Sequence, residues 1–362
     1  MNAGGSWNRI AYAAAHVVAD PMADVDPWID TAVDWDRTMA FREHLWSLGF
    51  GVAEAMDTAQ RGMGLDWPTS LELVQRSMEI AKPAGHLIAS GAGTDHLVPG
   101  PEVTLDDVIA AYELQCEAVE ATGSKVILMA SRALAAVAKG PDDYAKVYAR
   151  VLSGLAQPAL LHWLGEMFDP ALEGYWGNKD HLKAMDTCLA VIEANAAKVE
   201  GIKISLLSAE KEISMRRRLP QGVKMFTGDD FNYPDLIAGD EQGYSHALLG
   251  IFDPIAGAAA HALNALNAGD MSAYRSAFDP TVPLSRHIFK APTRFYKTGV
   301  VFLAYLNGHQ DHFTMIAGQE STRSTLHLAE IVRMANAANL FTDPDQVASR
   351  ARAVFAARGL EV

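Results

Sequence analysis

Cysteine is scarce in this chain: its 362 residues include two, Cys116 and Cys188. Neither belongs to a Cys-x-x-Cys pair, and two thiols in apolar helical patterns make no disulfide framework. A disulfide-stapled scaffold is excluded, and a reducing cytoplasm is the expected location. Positive charge is also in deficit. Lys plus Arg number 30 against 44 Asp plus Glu, for a formal net charge of −14. A uniformly acidic chain repels phosphate backbones, so nucleic acid is not expected as a partner. Arg216, Arg217 and Arg218 cluster where a predicted helix ends, and the helix dipole favours cations there. Apolar runs stay short of the ~20 residues that span a bilayer, so no membrane association is expected. The run IAYAAAHVVA after Arg9 weakly imitates a signal-peptide core. It ends in Asp20 without a small-x-small cleavage site, and is read instead as a strand. Low-complexity segments and sequence repeats are missing. No Gly-rich phosphate turn follows the first apolar run, which disfavours an open dinucleotide-binding sheet.

What the chain does have is apolar material. Hydrophobic residues make up 49% and charged residues 20%, enough for a large core and unlike a disordered chain. Short apolar runs alternate with longer helical patterns. The predicted strands are Arg9–Val18, Gly49–Ala55, His86–Gly91, Lys125–Ala130, Ala159–Leu164, Gly201–Leu206, Val223–Thr227 and Ser245–Ile251. Helix-sized segments such as Leu71–Ala81, Leu105–Thr122, Asp142–Leu155, Lys179–Ala197 and Ser208–Arg218 separate them, as parallel crossovers require. Only Pro234–Ala238 is helical between the last two. Thr104 begins a capping-box-like Thr-Leu-Asp-Asp, Pro141 opens a first turn, and Gly123 and Gly140 follow helical stretches where left-handed caps are expected. Eight strands make a closed (β/α)8 barrel over residues 1–252. Beyond Ile251 every pattern is helical, from Ile255–Ala268 to Asp345–Arg358, so residues 253–362 are expected to form a helical extension.

Barrel chemistry gathers at the C-terminal ends of the strands, where the βα loops converge. Lys203, in Gly-Ile-Lys-Ile-Ser, is the sharpest candidate. Strand alternation turns Ile202 and Ile204 to the helices, and Gly201, Lys203 and Ser205 to the barrel interior. Dehydration there lowers a lysine pKa, and a free amine attacks a carbonyl to form a Schiff base. A lysine paired with an acid at the strand end fits the local sequence equally well.

Gly201-Ile-Lys resembles the Schiff-base motif of the dihydrodipicolinate synthase and N-acetylneuraminate lyase family. Val223–Asp230 (VKMFTGDD) is similar to that family's strand ending Ser-Gly-Asp-Asp. Pro158-Ala-Leu-Leu-His-Trp resembles its Pro-x-Leu-Leu-Tyr-Asn, and Ala265–Leu306 its helical tail, including Asn267-Ala-Gly-Asp and Lys297. The similarity runs in order over most of the chain. It implies a class I aldolase-type enzyme with Lys203 as nucleophile, acting on a 2-keto acid or sugar-derived keto compound without a cofactor. It also implies assembly as a homodimer or homotetramer.

Departures accompany these matches. The family's proton-relaying tyrosine is His162 here, a residue suited either to acid–base work or to a satisfied core position. Ser131-Arg132 stands where the fourth-strand tyrosine is missing. Arg132 suits a substrate carboxylate, or a solvated helix start. The family's Gly-Thr-Thr-Gly-Glu turn is replaced by a longer loop from Gly51 to Gly64, with Glu54, Asp57, Thr58 and Arg61, which disfavours dihydrodipicolinate synthesis itself. Gly228, Asp229 and Asp230 suit either substrate binding or a helix cap. Together, Gly51, Asp57, Thr58, Arg132, Gly228, Asp229, Asp230 and, more weakly, His246 form the candidate substrate site around catalytic Lys203 and His162. A second reading is a metal-dependent isomerase or hydrolase of a carbohydrate-like substrate, using Glu54, Asp57, His162, Glu166 and His246. A third is a non-catalytic binding protein on a borrowed barrel. His309, Asp311 and His312 have zinc-like composition but no fourth ligand.

Overall fold

The computed structural model describes residues 7–360. Eight parallel strands close into a barrel in sequential order. They are β1 (Ala11–Ala14), β2 (Gly51–Glu54), β3 (Ile88–Ala92), β4 (Lys125–Leu128), β5 (Ala159–Leu164), β6 (Val199–Ser205), β7 (Lys224–Thr227) and β8 (His246–Leu249). Every one lies within or overlaps an apolar run predicted above. The intervening helices are α1 (Trp35–Ser47), α2 (Trp67–Ala84), α3 (Leu105–Thr122), α4 (Arg132–Val137), α5 (Pro141–Gly154), α6 (His181–Ala194), α7 (Ala209–Arg216) and α8 (Tyr233–Ala238). After β8 come α9 (Ala256–Asn267), α10 (Met271–Phe278), α11 (Val282–Ile288), α12 (Tyr296–Leu306), α13 (Thr325–Ala337) and α14 (Pro344–Ala357). Among the described residues no helix is long and apolar enough to cross a membrane.

Local chemistry explains several boundaries. Thr104 forms a full capping box with Asp107 at the start of α3, and Gly123 ends that helix at φ +91°. Gly140 departs from its expected role. Its φ is 174°, and it caps the start of α5 ahead of Pro141. Ser131 accepts a hydrogen bond from the Leu134 amide and thereby starts the short helix α4, with Arg132 as its first residue.

Strand alternation fills the barrel interior from both ends. Tyr12 and Phe226, with ring centroids 6.1 Å apart, pack with Ile127, Leu160 and Leu248 across the middle, while Ala14, Ala53 and Ala89 keep one side narrow. Below them, at the N-terminal mouth, Glu200 pairs with Lys125 and Lys224. Outside the barrel, β2 turns Glu54 toward the helices. Arg42 of α1 grips it bidentately at 2.9 and 2.8 Å, and Ser77 of α2 donates to it at 2.6 Å. Both charged side chains are fully buried, so removing one leaves the other unsatisfied in a dry interface. Glu54→Ala should therefore cost about 3–5 kcal/mol of unfolding free energy. Urea unfolding measures this, and an unchanged midpoint would contradict it.

Candidate active site

Lys203 lies on β6, in register with His162 of β5 and Phe226 of β7. It therefore points into the barrel one layer above the aromatic floor, as alternation requires. The residue is 8% exposed. Burial lowers its pKa, partly countered by the charges of Asp230 and Asp57, neither of which hydrogen-bonds to it. Room for the side chain comes from Gly228, just past β7. A methyl group there would lie 2.7 Å from the lysine Cε and 2.7 Å from the Ile204 carbonyl. The glycine of the Gly-Asp-Asp motif is thus required by the fixed Ile204 carbonyl, with the Ser205 hydroxyl and the lysine stem crowding the same position.

His162 is buried beside it, with Nε2 3.2 Å from the Ser205 hydroxyl and Nδ1 unpartnered among the described residues. Burial, then the Lys203 charge, holds its pKa well below the usual histidine value, so it stands as a neutral imidazole. Asp230 accepts from the Ile251 amide at 2.9 Å, in the turn after β8. Burial pushes its pKa up to about 7, against the attraction of Lys203. A near-neutral carboxyl, a neutral imidazole and a dehydrated amine thus share one chamber, as proton transfer near pH 7 requires.

Asp57 and Thr58 form a single turn of 3-10 helix after β2 (Asp57–Ala59). Asp57 lines a cleft together with Thr94, Asp95, Arg132, His162 and Asp169. Lys203 does not itself line the cleft; it lies in strand register with His162, which does. Two arginines face this cleft with their charge already matched. Arg61 holds Asp95 at 2.7 Å, and Arg132 pairs with Asp169. Thr58 does not face the cleft; its hydroxyl lies 2.8 Å from that of Tyr296 on α12.

Three expected substrate residues belong elsewhere. Gly51 is the first residue of β2, at the N-terminal end. A methyl group on it would meet the Tyr12 ring at 2.7 Å, so its smallness serves packing. His246 is the first residue of β8 and accepts from the Ile10 amide at 2.9 Å. Burial, with the Lys224 and Arg9 charges, pulls its pKa down to about 4 at the mouth opposite the lysine chamber. Asp229 turns back onto its own loop, accepting from the Phe231 and Asn232 amides at 2.8 and 3.1 Å. These bonds brace the loop before α8, whose N-cap is Asn232.

The donors of the metal reading are not brought together. Glu54 is held by Arg42, Glu166 pairs with His181 at 3.0 Å, and His246 is at the far mouth. His309, Asp311 and His312 also diverge. His309 packs on His44, Asp311 pairs with Arg37 and Arg350, and His312 accepts from the Thr314 amide.

The composition of the extension conceals two residues near the chamber, Tyr296 and Lys297. Lys297 is buried, donates to the Arg294 carbonyl at 3.1 Å, and has its pKa lowered by burial to about 8. Lys297 matches the tail of the resembling family, yet no local pattern assigns either side chain to the barrel mouth.

A closed parallel barrel with a buried lysine on its sixth strand and a helical extension defines the architectural class, and solved structures share its fold. The 4-hydroxy-tetrahydrodipicolinate synthase of the thermoacidophilic methanotroph Methylacidiphilum fumariolicum SolV superposes with a TM-score of 0.68 at 14% identity, covering 94% of this chain and 97% of its own. Dihydrodipicolinate synthase of Aquifex aeolicus gives 0.67 at 12% identity, over 92% and 100%. That of Oceanobacillus iheyensis gives 0.63 at 14%, over 91% and 97%. At such identities the likeness establishes the fold. The chain belongs to the family described as "Protein of unknown function (DUF993)", whose model matches residues 2–360. No curated protein matches it in sequence.

The Asp230 carboxyl holds its proton more tightly in the folded chain, at about 7, than at the ordinary 3.8. Its ionisation therefore opposes folding, and the penalty grows from about pH 4 and is complete above about pH 7. Asp230→Asn lacks this titration. Relative to that variant, the wild type should lose up to roughly 4 kcal/mol of stability between those limits. Urea unfolding at pH 4.5 and 8 provides the comparison, and a pH-independent difference would refute it.

Proposed function

We propose that this protein is a Schiff-base-forming lyase or aldolase acting on a 2-keto acid or a sugar-derived keto compound. The carrying observation is the Lys203 amine, buried in the barrel with no carboxylate bonded to it and a lowered pKa. A dehydrated amine is free in larger proportion at neutral pH, and its attack on a ketone creates the electron sink that lets an adjacent carbon bond break or form. Asp230 and His162 are the neighbouring groups able to exchange protons. The dihydrodipicolinate synthase fold supports the same reading, since a keto compound would reach the lysine from the strand ends.

The cleft favours a hydroxylated chain over a strongly anionic one. Its arginines are already paired, while Asp57 and Thr94 offer hydrogen-bonding oxygens. Arg132, about two-fifths exposed, remains the group best placed to shift from Asp169 to a substrate carboxylate.

Borohydride reduction in the presence of 2-keto acids and keto sugars should leave a covalent adduct on the peptide carrying Lys203, detected by mass. The trapping rate should rise with pH through a midpoint below the ordinary lysine value of 10.5. Lys203→Arg should give no adduct. Failure across the panel, or an adduct that survives this substitution, would remove the proposal.

A further inference from the structure

Tyr296 brings a hydroxyl from the C-terminal helices to the top of the barrel. It is 4% exposed, its ring stacks on Phe289 at 4.3 Å between centroids, and its oxygen lies 2.8 Å from that of Thr58. Gly250, just past β8, permits this approach. A methyl group there would lie 3.2 Å from the Tyr296 ring and 3.4 Å from the Thr58 oxygen. The next amide, that of Ile251, meanwhile donates to Asp230 at 2.9 Å. The charges felt by Lys203 are those of Asp230 and Asp57, and the same two carboxylates bear on Tyr296. A short path of contacts links the hydroxyl to the amine: Gly228 lies against the Lys203 stem, Asp230 accepts from the Ile251 amide, and Gly250 beside that amide lies against the Tyr296 ring. A phenylalanine would fill the same aromatic stack, so packing alone does not account for the hydroxyl.

We propose that the Tyr296 hydroxyl, held by Thr58, carries the proton in carbonyl chemistry at Lys203. The inference rests on the Schiff-base reading above. Lys203 nitrogen adds to the substrate carbonyl, giving a neutral carbinolamine after a proton passes from nitrogen to oxygen. Tyr296 then gives its proton to the departing hydroxide, so that water leaves and an iminium faces a phenolate. The phenolate removes a proton from the carbon next to the iminium, giving the enamine and restoring the phenol. Every proton and electron pair is accounted for without an outside reagent. Burial and the surrounding carboxylates keep the resting phenol protonated, and the iminium charge stabilises the phenolate while it exists. His162, with Nε2 on Ser205 and Nδ1 free among the described residues, and Asp230 are the competing groups, and the exchange measurement distinguishes Tyr296 from them.

The test uses the full chain and a keto acid that traps on the wild type. Borohydride trapping reports the imine. Proton NMR in deuterium oxide reports exchange at the carbon beside the carbonyl, which requires the enamine. Tyr296→Phe should form adduct on Lys203 more slowly, because dehydration loses its acid, while exchange per adduct formed falls about 100-fold or more, the scale of general acid–base catalysis. Thr58→Val, which leaves the phenol unheld, should lower exchange by a smaller factor at unchanged adduct yield. It decides the matter if Tyr296→Phe does not fold. Exchange within twofold of wild type in either folded variant overturns the inference and leaves the Schiff-base reading intact. Absence of any adduct on the wild type overturns both.

Discussion

The dehydration of one amine is the constraint on which the site depends. Lys203 reaches the barrel axis because β6 alternates around it, and it fits there because position 228 has no side chain. Asp230 and Asp57 supply opposing charge from a distance, so the amine is neither neutralised by contact nor left wholly uncompensated. A carboxylate in bonding contact would hold the proton and silence the nucleophile. An amine exposed to water would keep its ordinary pKa. The structure lies between these limits.

The rest of the barrel serves that balance. Tyr12 and Phe226 form a dry floor, and the Lys125–Glu200–Lys224 cluster covers it from the opposite mouth. The Arg42–Glu54 pair fixes α1 and α2 on the strand that delivers Asp57. The C-terminal helices close the top through Tyr296. Polar groups on the outside of the strands thus hold position, while Lys203 and His162, in the upper layer, face the barrel interior.

Much of this was legible in the residue order. Apolar runs of β6 and β5 lengths, bounded by polar helix starts, identify strands because a strand buried on both faces is continuously apolar. Alternation then placed Lys203 inward, and the family resemblance drew attention to His162 on the neighbouring strand. The placements of Gly51 and His246 share one cause. A run such as Gly49–Ala55 shows that a strand exists, but not which of its residues begin the hydrogen-bonded ladder. Gly51 and His246 turned out to be first residues, a strand's length from the rim where chemistry lies. Asp229 and Asp230 are adjacent, and only three-dimensional contacts distinguish the loop brace from the chamber wall. Tyr296 lay beyond sequence reasoning altogether, since its partner Thr58 is 238 positions away and no periodicity connects them.

That long separation has a consequence for biosynthesis. Chains emerge from the ribosome N-terminus first, and the strands of the barrel precede residue 296. Until α12 docks, the Thr58 hydroxyl lacks its Tyr296 partner. The loop after β2 is braced by a helix made 238 positions later, so a product that stops short of α12 lacks that support.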